Sequence, residues 1–289
     1  MSMRVTVSAV QFGHRPLSSF EEFAAQVEGH VALAKDFGSQ LICFPEYMTA
    51  ALLSIDGDDA LDLERWDRWT GPYVQLMQEL SRRFGLFILG GTHLAREGER
   101  HYNTAYLFGP TGEVVTQRKL HLTPCEIDPW RLATDDVVRV IETPIGKLAI
   151  LVCFDIEFPE AVRAAVDGGA DIILCPSATD DRAGFYRVRY CALARAVENQ
   201  VYVVHSALVG RLPRVRFFEQ SYGRSAVISP CDVPFARDGI VAEGEWNQDL
   251  VVTGVIDLER LQEVRTAGSV TPRLVRRASY PVATVAFGG

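Results

Sequence analysis

Short, continuously apolar runs alternate with amphipathic stretches along nearly the whole chain, and this alternation restricts the fold more than any other feature. LICF (41–44), LFILGG (86–91), DIILC (171–175) and QVYVVHSALV (200–209) read as buried strands, far short of a membrane span. Between the first runs, SSFEEFAAQVEGHVALAKDFG (18–38) carries Phe20, Phe23, Ala24, Val27, Val31 and Ala34 at helical spacing. Ser18 and Glu21 stand in capping-box positions and Gly38 is the stop. Further helices are expected over 72–84, 159–169 and 185–199, and further strands over 5–12, 225–230 and 250–257. Two hairpins turn at PTG (110–112) and PIG (144–146), the second feeding KLAILVCF (147–154). No linker or low-complexity tract interrupts the pattern, so residues 1–289 read as one α/β domain. GSQLICFPE (38–46) and GADIILCPS (169–177) share a glycine stop, an apolar strand and a proline, through internal duplication or convergence.

A chain of 289 residues can bury a substantial core. Its net charge of −8 and lack of a basic run exclude nucleic acid and anionic membranes as main partners, leaving small molecules or proteins. The start, MSMRVTVSAVQF, is too polar for a secretory signal. The six cysteines are scattered without a C-x-x-C pair, which suggests reduced thiols and a cytoplasmic location.

Three ionisable groups stand at the ends of predicted strands, where an α/β scaffold fixes the backbone while a side chain reaches a crevice. Cys153 follows KLAILV and precedes a helix start near Pro159. Glu46 follows LICFP, where desolvation would raise its pKa toward neutrality. Lys119, in VVTQRKLHLTPCE, lies where a hairpin strand gives way to irregular chain. Taken singly, each has a plainer reading as a buried thiol, an exposed loop carboxylate and a solvated lysine. Asp155, Glu157 and Glu160 crowd the thiol with negative charge, so a cation is needed to make it reactive.

In order, LICFPE, QRKLHL and LVCFDIEFPE resemble the three catalytic signatures of the nitrilase, or carbon–nitrogen hydrolase, superfamily. HYNTAYLFGPTGEVV, ALARAVENQVYVV and DLERLQEVRTAGSVTPRLVRRASY extend the likeness over roughly residues 4–280. The resemblance implies a four-layer αββα sandwich and a Glu46, Lys119, Cys153 triad, with Glu126 of HLTPCE as a supporting second glutamate. It also implies a homodimer or larger even assembly, with residues 257–289 forming a tail that contacts the partner subunit. In the implied chemistry the Cys153 thiolate attacks an amide carbonyl, and Lys119 and the Phe154 backbone N–H hold the oxyanion. Glu46 moves the protons, a thioester is the intermediate, and neither metal nor organic cofactor is expected. A histidine base is the alternative, with His121 projecting beside Lys119 if the strand continued.

Phe154 and Asp155 after the cysteine resemble the amidase-like branches rather than the nitrile-hydrolysing ones, which commonly have tryptophan and glutamate there. Many amidase-like relatives carry arginine where this chain has Glu157. With Asp180 and Asp181, Glu157 would make an acidic mouth suited to neutral or cationic amides, unless it pairs internally with Arg187 or Arg189. Thr179, Phe185 and Tyr186 are candidate pocket residues. Three functions follow: a small-molecule amidase, an N-carbamoyl hydrolase, or a catalytically silent binding protein on the same fold.

Overall fold

A strand made only of apolar residues has two faces to hide, and here both are covered: one by helices, the other by a second sheet. The computed structural model describes residues 3–56 and 62–284. The first half comprises β1 (Arg4–His14), α1 (Phe20–Asp36), β2 (Leu41–Cys43), α2 (Leu63–Asp67), α3 (Thr70–Phe84), β3 (Phe87–Glu97), β4 (Arg100–Phe108), β5 (Val114–Arg118) and α4 (Pro124–Ile127). The second comprises β6 (Val140–Thr143), β7 (Gly146–Ile150), α5 (Pro159–Asp167), β8 (Ile172–Ser177), α6 (Arg182–Asn199), β9 (Tyr202–Gly210), β10 (Ala226–Ile228), β11 (Ile240–Glu243), β12 (Leu250–Asp257), α7 (Leu258–Ala267) and α8 (Pro272–Val275).

One sheet runs β5-β4-β3-β2-β1-β12, with β1, β2 and β3 parallel. The other runs β6-β7-β8-β9-β10-β11, with β7, β8 and β9 parallel. Alternation along the strands decides the layers. Val5, Val7 and Ala9 of β1, with Leu41 and Cys43 of β2, face the second sheet and pack with Ile150, Leu174 and Val204. The intervening Val10, Phe12 and Ile42 face Phe23, Val27 and Val31 of α1 and Met77 of α3. Val162 and Val166 of α5 and Val188 and Ala192 of α6 cover the second sheet, completing an αββα sandwich. The two repeated segments, ending in β2 and β8, occupy equivalent places, each between two parallel neighbours.

The sheets meet at the carboxyl ends of β1 and β9, where Phe12–His14 pair in parallel with Leu208–Gly210. Ser206 on β9 ties the junction: its hydroxyl is shared between the carbonyls of Val10 at 2.5 Å and Cys43 at 2.7 Å. All the strands that deliver candidate groups therefore finish at one end of the sandwich.

Several boundaries differ from expectation. Helix α1 is capped by Ser19, which accepts from the Glu22 N–H, because Glu22 reaches back to the Ser18 N–H; the expected Ser18 and Glu21 pair is shifted by one residue. Strand β7 stops at Ile150 rather than reaching Phe154, since the chain turns sharply through Cys153. Helices α7 and α8 structure part of the C-terminal segment, whose residues 285–289 lie outside the described residues. No helix among the described residues is long and apolar enough to cross a membrane.

Replacing Ser206 by Ala removes the hydroxyl that bridges the Val10 and Cys43 carbonyls, leaving Val10 O with the Ser225 hydroxyl at 3.1 Å, and the expected loss is about 1 kcal/mol. Urea denaturation measures it; an unchanged unfolding midpoint would contradict the role given to this hydroxyl.

Candidate active site

Glu46 lies just past β2, where Phe44 N–H still bonds to Leu89 O at 2.8 Å before Pro45 ends the pairing. Gly91, with a φ of +70°, lets β3 pass this segment: a Cβ there would sit 2.0 Å from the Pro45 carbonyl oxygen. Lys119 follows β5, its N–H bonded to Asn103 O at 2.9 Å. Cys153 occupies a left-handed turn with a φ of +49°, which costs a non-glycine residue about 1–3 kcal/mol and projects the thiol away from the sheet.

These three side chains converge. Lys119 Nζ donates to Glu46 Oε1 at 2.8 Å and to both Glu126 oxygens at 3.0 and 2.9 Å. The ammonium is only 2 % exposed and the two carboxylates 1 % each. Asn103 Nδ2 bridges the same carboxylates, at 2.9 Å to each. Glu46 Oε2 accepts from the Ala178 N–H at 3.0 Å, and the Cys153 thiol donates to Ala178 O at 3.6 Å, so the two side chains meet on the same backbone residue.

The two carboxylates share a lysine yet are electrostatically unlike. Glu126 accepts from the Thr123 N–H at 2.8 Å, the Thr123 hydroxyl at 2.9 Å and the Tyr47 hydroxyl. Burial pushes its pKa up, but Lys119 and these donors outweigh burial and hold it below the usual glutamate range. Glu46 has fewer donors, and burial, helped by the Glu126 charge, raises it despite Lys119. Burial works against the Lys119 charge, but the flanking carboxylates hold its pKa well above the ordinary value. Burial also pushes the Cys153 thiol up, with Glu46 reinforcing and Lys119 opposing. The arrangement thus offers a neutral thiol, a fixed cation, a fixed anion and one carboxyl group able to exchange a proton.

Cys153, Glu46 and Lys119 lie on a cavity of about 810 Å³. Thr179 and Glu157 line it as expected, with Asp180 at its mouth. Tyr186 does not line it, and neither does Phe185. Gly184, Arg187 and Val188 form the α6 stripe that faces the cavity, while Phe185 and Tyr186 turn toward Trp246. Glu157 is held by Arg187 Nε at 2.9 Å, so the acidic mouth is offset by a cation; Arg189 pairs with Glu243 instead. His121 is drawn away from the cavity: its ring stacks on Phe158 at 3.6 Å and bonds Asp155 at 3.0 Å. Burial lowers His93 to about 3 and His14 to about 4, so both stay neutral. Among the described residues, no group of three or more His, Cys, Asp or Glu side chains is arranged to hold a metal ion.

Sequence reasoning missed Tyr47, Asn103 and the aromatic wall of Trp130, Phe217 and Phe218. Asn103 had one signal, a carboxamide leading into the strand stretch TAYLF.

A cysteine, a lysine and paired glutamates thus converge at the strand ends of an αββα sandwich. The carbon–nitrogen hydrolase sequence profile matches residues 6–266, and the chain belongs to that family. It is 43 % identical over 94 % of its length to the probable hydrolase YhcX of Bacillus subtilis, of which it spans 54 %. It is 33 % identical to the deaminated glutathione amidase of Bos taurus, over 68 % of this chain and 61 % of that one. Among solved structures, Nit3 of Saccharomyces cerevisiae, a nitrilase-superfamily member, superposes with a TM-score of 0.74 at 24 % identity, covering 94 % and 97 % of the two chains. The amidase of Nesterenkonia in complex with acrylamide gives 0.71 at 22 % identity, covering 90 % and 94 %, and both likenesses are of fold.

Replacing Lys119 by Met leaves two carboxylates buried without a cation, with an expected loss of about 3–5 kcal/mol at neutral pH. Both folded-state pKa values would then lie above their unfolded values. Stability is in that case fullest below the unfolded pKa and falls as pH rises through the folded one. Urea denaturation at pH 5 and pH 8 should therefore show a larger deficit at pH 8, and equal deficits would refute the electrostatic reading.

Proposed function

We propose that this protein hydrolyses the amide C–N bond of a small molecule through a thioester on Cys153. The observation that carries the reading is a buried ammonium shared by Glu126 and Glu46 beside a strand-end thiol. As substrate binds, the Cys153 proton passes to Glu46 and sulfur attacks the carbonyl carbon. Lys119 and the Phe154 N–H stabilise the oxyanion. The C–N bond breaks as Glu46 returns the proton to the leaving nitrogen, releasing ammonia or an amine. Glu46 then takes a proton from water, hydroxide displaces the thiolate, and the carboxylic acid leaves as Glu46 returns that proton to the Cys153 sulfur. Glu126 stays ionised and holds Lys119 in place.

Amides rather than nitriles are favoured by the Phe154 and Asp155 pair, and relatives of this chain include an omega-amidase of Xenopus laevis, 27 % identical over 68 % of the chain. Tyr47, Trp130, Phe154, Phe217 and Phe218 give the cavity an apolar wall, which suits an amide with an apolar body. Arg187 and Arg216 in the same wall support an N-carbamoyl amino acid as the second reading. Free thiols suit a cytoplasmic setting. The same reading makes the protein a homodimer or larger even assembly, with exposed Tyr190 of α6 and Leu274 and Val275 of α8 available for the contact.

An ammonia-release screen over primary amides, N-carbamoyl compounds and nitriles tests this directly. Amides should be turned over best, Cys153→Ala should abolish release, and Glu46→Gln should lower kcat/KM by at least about 100-fold. Release that survives Cys153→Ala, or nitriles exceeding amides, would overturn it.

A further inference from the structure

Asp155, two residues after the thiol, is completely buried, yet among the described residues its carboxylate bonds to no lysine or arginine side chain. Its carboxylate is filled with N–H groups from two separate segments. Oδ2 accepts from the Val152 N–H at 3.0 Å, and Oδ1 from the His121 N–H at 2.8 Å and His121 Nδ1 at 3.0 Å. The Leu120 N–H reaches both oxygens, at 3.2 and 3.3 Å. In return the Asp155 N–H bonds to Val152 O at 2.9 Å, closing the turn that holds Cys153 at its positive φ.

Leu120 and His121 immediately follow Lys119, and Val152 immediately precedes Cys153. We propose that Asp155 is a positioning residue, a carboxylate clamp that sets the distance between the Lys119 ammonium and the Cys153 thiol across the two sheets. Strand pairing cannot supply this registration. β5 and β7 lie in different sheets and share no ladder, and Lys119 and Cys153 both stand beyond the last paired residues. The His121 ring, stacked face to face on Phe158, braces the clamp from outside. The short aspartate side chain bonds the N–H three residues back while reaching the opposite segment. A displacement of about 1 Å at a reacting group is enough to cost about 100-fold in rate.

This inference rests on the proposed roles of Cys153 and Lys119. The experiment compares wild type, Asp155→Asn and His121→Ala by the pH profile of Cys153 alkylation with iodoacetamide, and by kcat and KM on a primary amide that the wild type hydrolyses. Asp155→Asn keeps the size but turns a donor toward donors. It should lower kcat by about 100-fold with KM little changed. It should also move the midpoint of Cys153 alkylation upward, against the downward shift that loss of the Asp155 charge alone would give, leaving Cys231 unaffected. His121→Ala, which keeps the backbone bonds, should shift both in the same direction by less.

If folded Asp155→Asn loses activity while the alkylation midpoint stays put, Asp155 is merely structural and the proposal fails. It fails equally if both readouts match wild type. Should Asp155→Asn not fold, His121→Ala decides by the same midpoint, an unmoved value overturning the clamp. Cys153→Ala run alongside separates the two claims. Ammonia release by Cys153→Ala refutes the proposed function, whereas an unaltered Asp155→Asn beside a dead Cys153→Ala refutes the clamp alone.

Discussion

A lysine ammonium taken wholly out of water is tolerable only if opposite charge and hydrogen bonds surround it, and the rest of this site is organised around meeting that condition for Lys119. Glu46 and Glu126 supply the charge, and Asn103 spans both carboxylates. The carboxylates come from different parts of the chain, one beyond β2 and one in the short α4. The cation therefore works as a tether between the strand ends as well as an electrostatic centre. Its asymmetry matters chemically: Glu126, the partner with more hydrogen-bond donors, is held toward the charged form, so the proton that a thiol must lose has one place to go.

The sandwich makes this possible by rigidity. Parallel strands buried on both faces are close-packed between a helix layer and a second sheet, so their carboxyl ends are fixed points. Residues just beyond those ends inherit that precision while escaping the sheet's geometry. Tyr47 and Cys153 both take positive φ there, local strain that a closely packed surrounding can hold. The cavity opens above them, walled on one side by α6 and on another by the segment after β9 that carries Arg216, Phe217 and Phe218.

Much of this was legible in the sequence because it is local. Apolar runs that stop at Pro45 and at Cys153, and a hairpin strand that gives way at Lys119, mark strand ends, and a charged or nucleophilic residue at a strand end is visible without knowing what it faces. Glu126 became visible only through family resemblance, because PCEI alone looks like an exposed turn. Asn103 and Tyr47 escaped because their importance lies wholly in partners far along the chain. Tyr186 was misplaced for a geometric reason: the helix over 182–199 turns a stripe of Gly184, Arg187 and Val188 to the cavity, and a phase error of one residue swaps wall for surface. Glu157 carried the right warning of two possible fates, and the pairing with Arg187 is the one realised.

The division of labour between the two carboxyl groups can be observed without any substrate. With carboxyl-labelled glutamate, 13C NMR titration of the resting protein, assigned through Glu46→Gln and Glu126→Gln, reports each group separately. Glu126 should remain ionised to pH values below the usual glutamate range, and Glu46 should keep its proton above that range. If the two titrate alike, or if Glu126 is the group that holds the proton, the shared lysine does not differentiate them and Glu46 loses its claim to be the base.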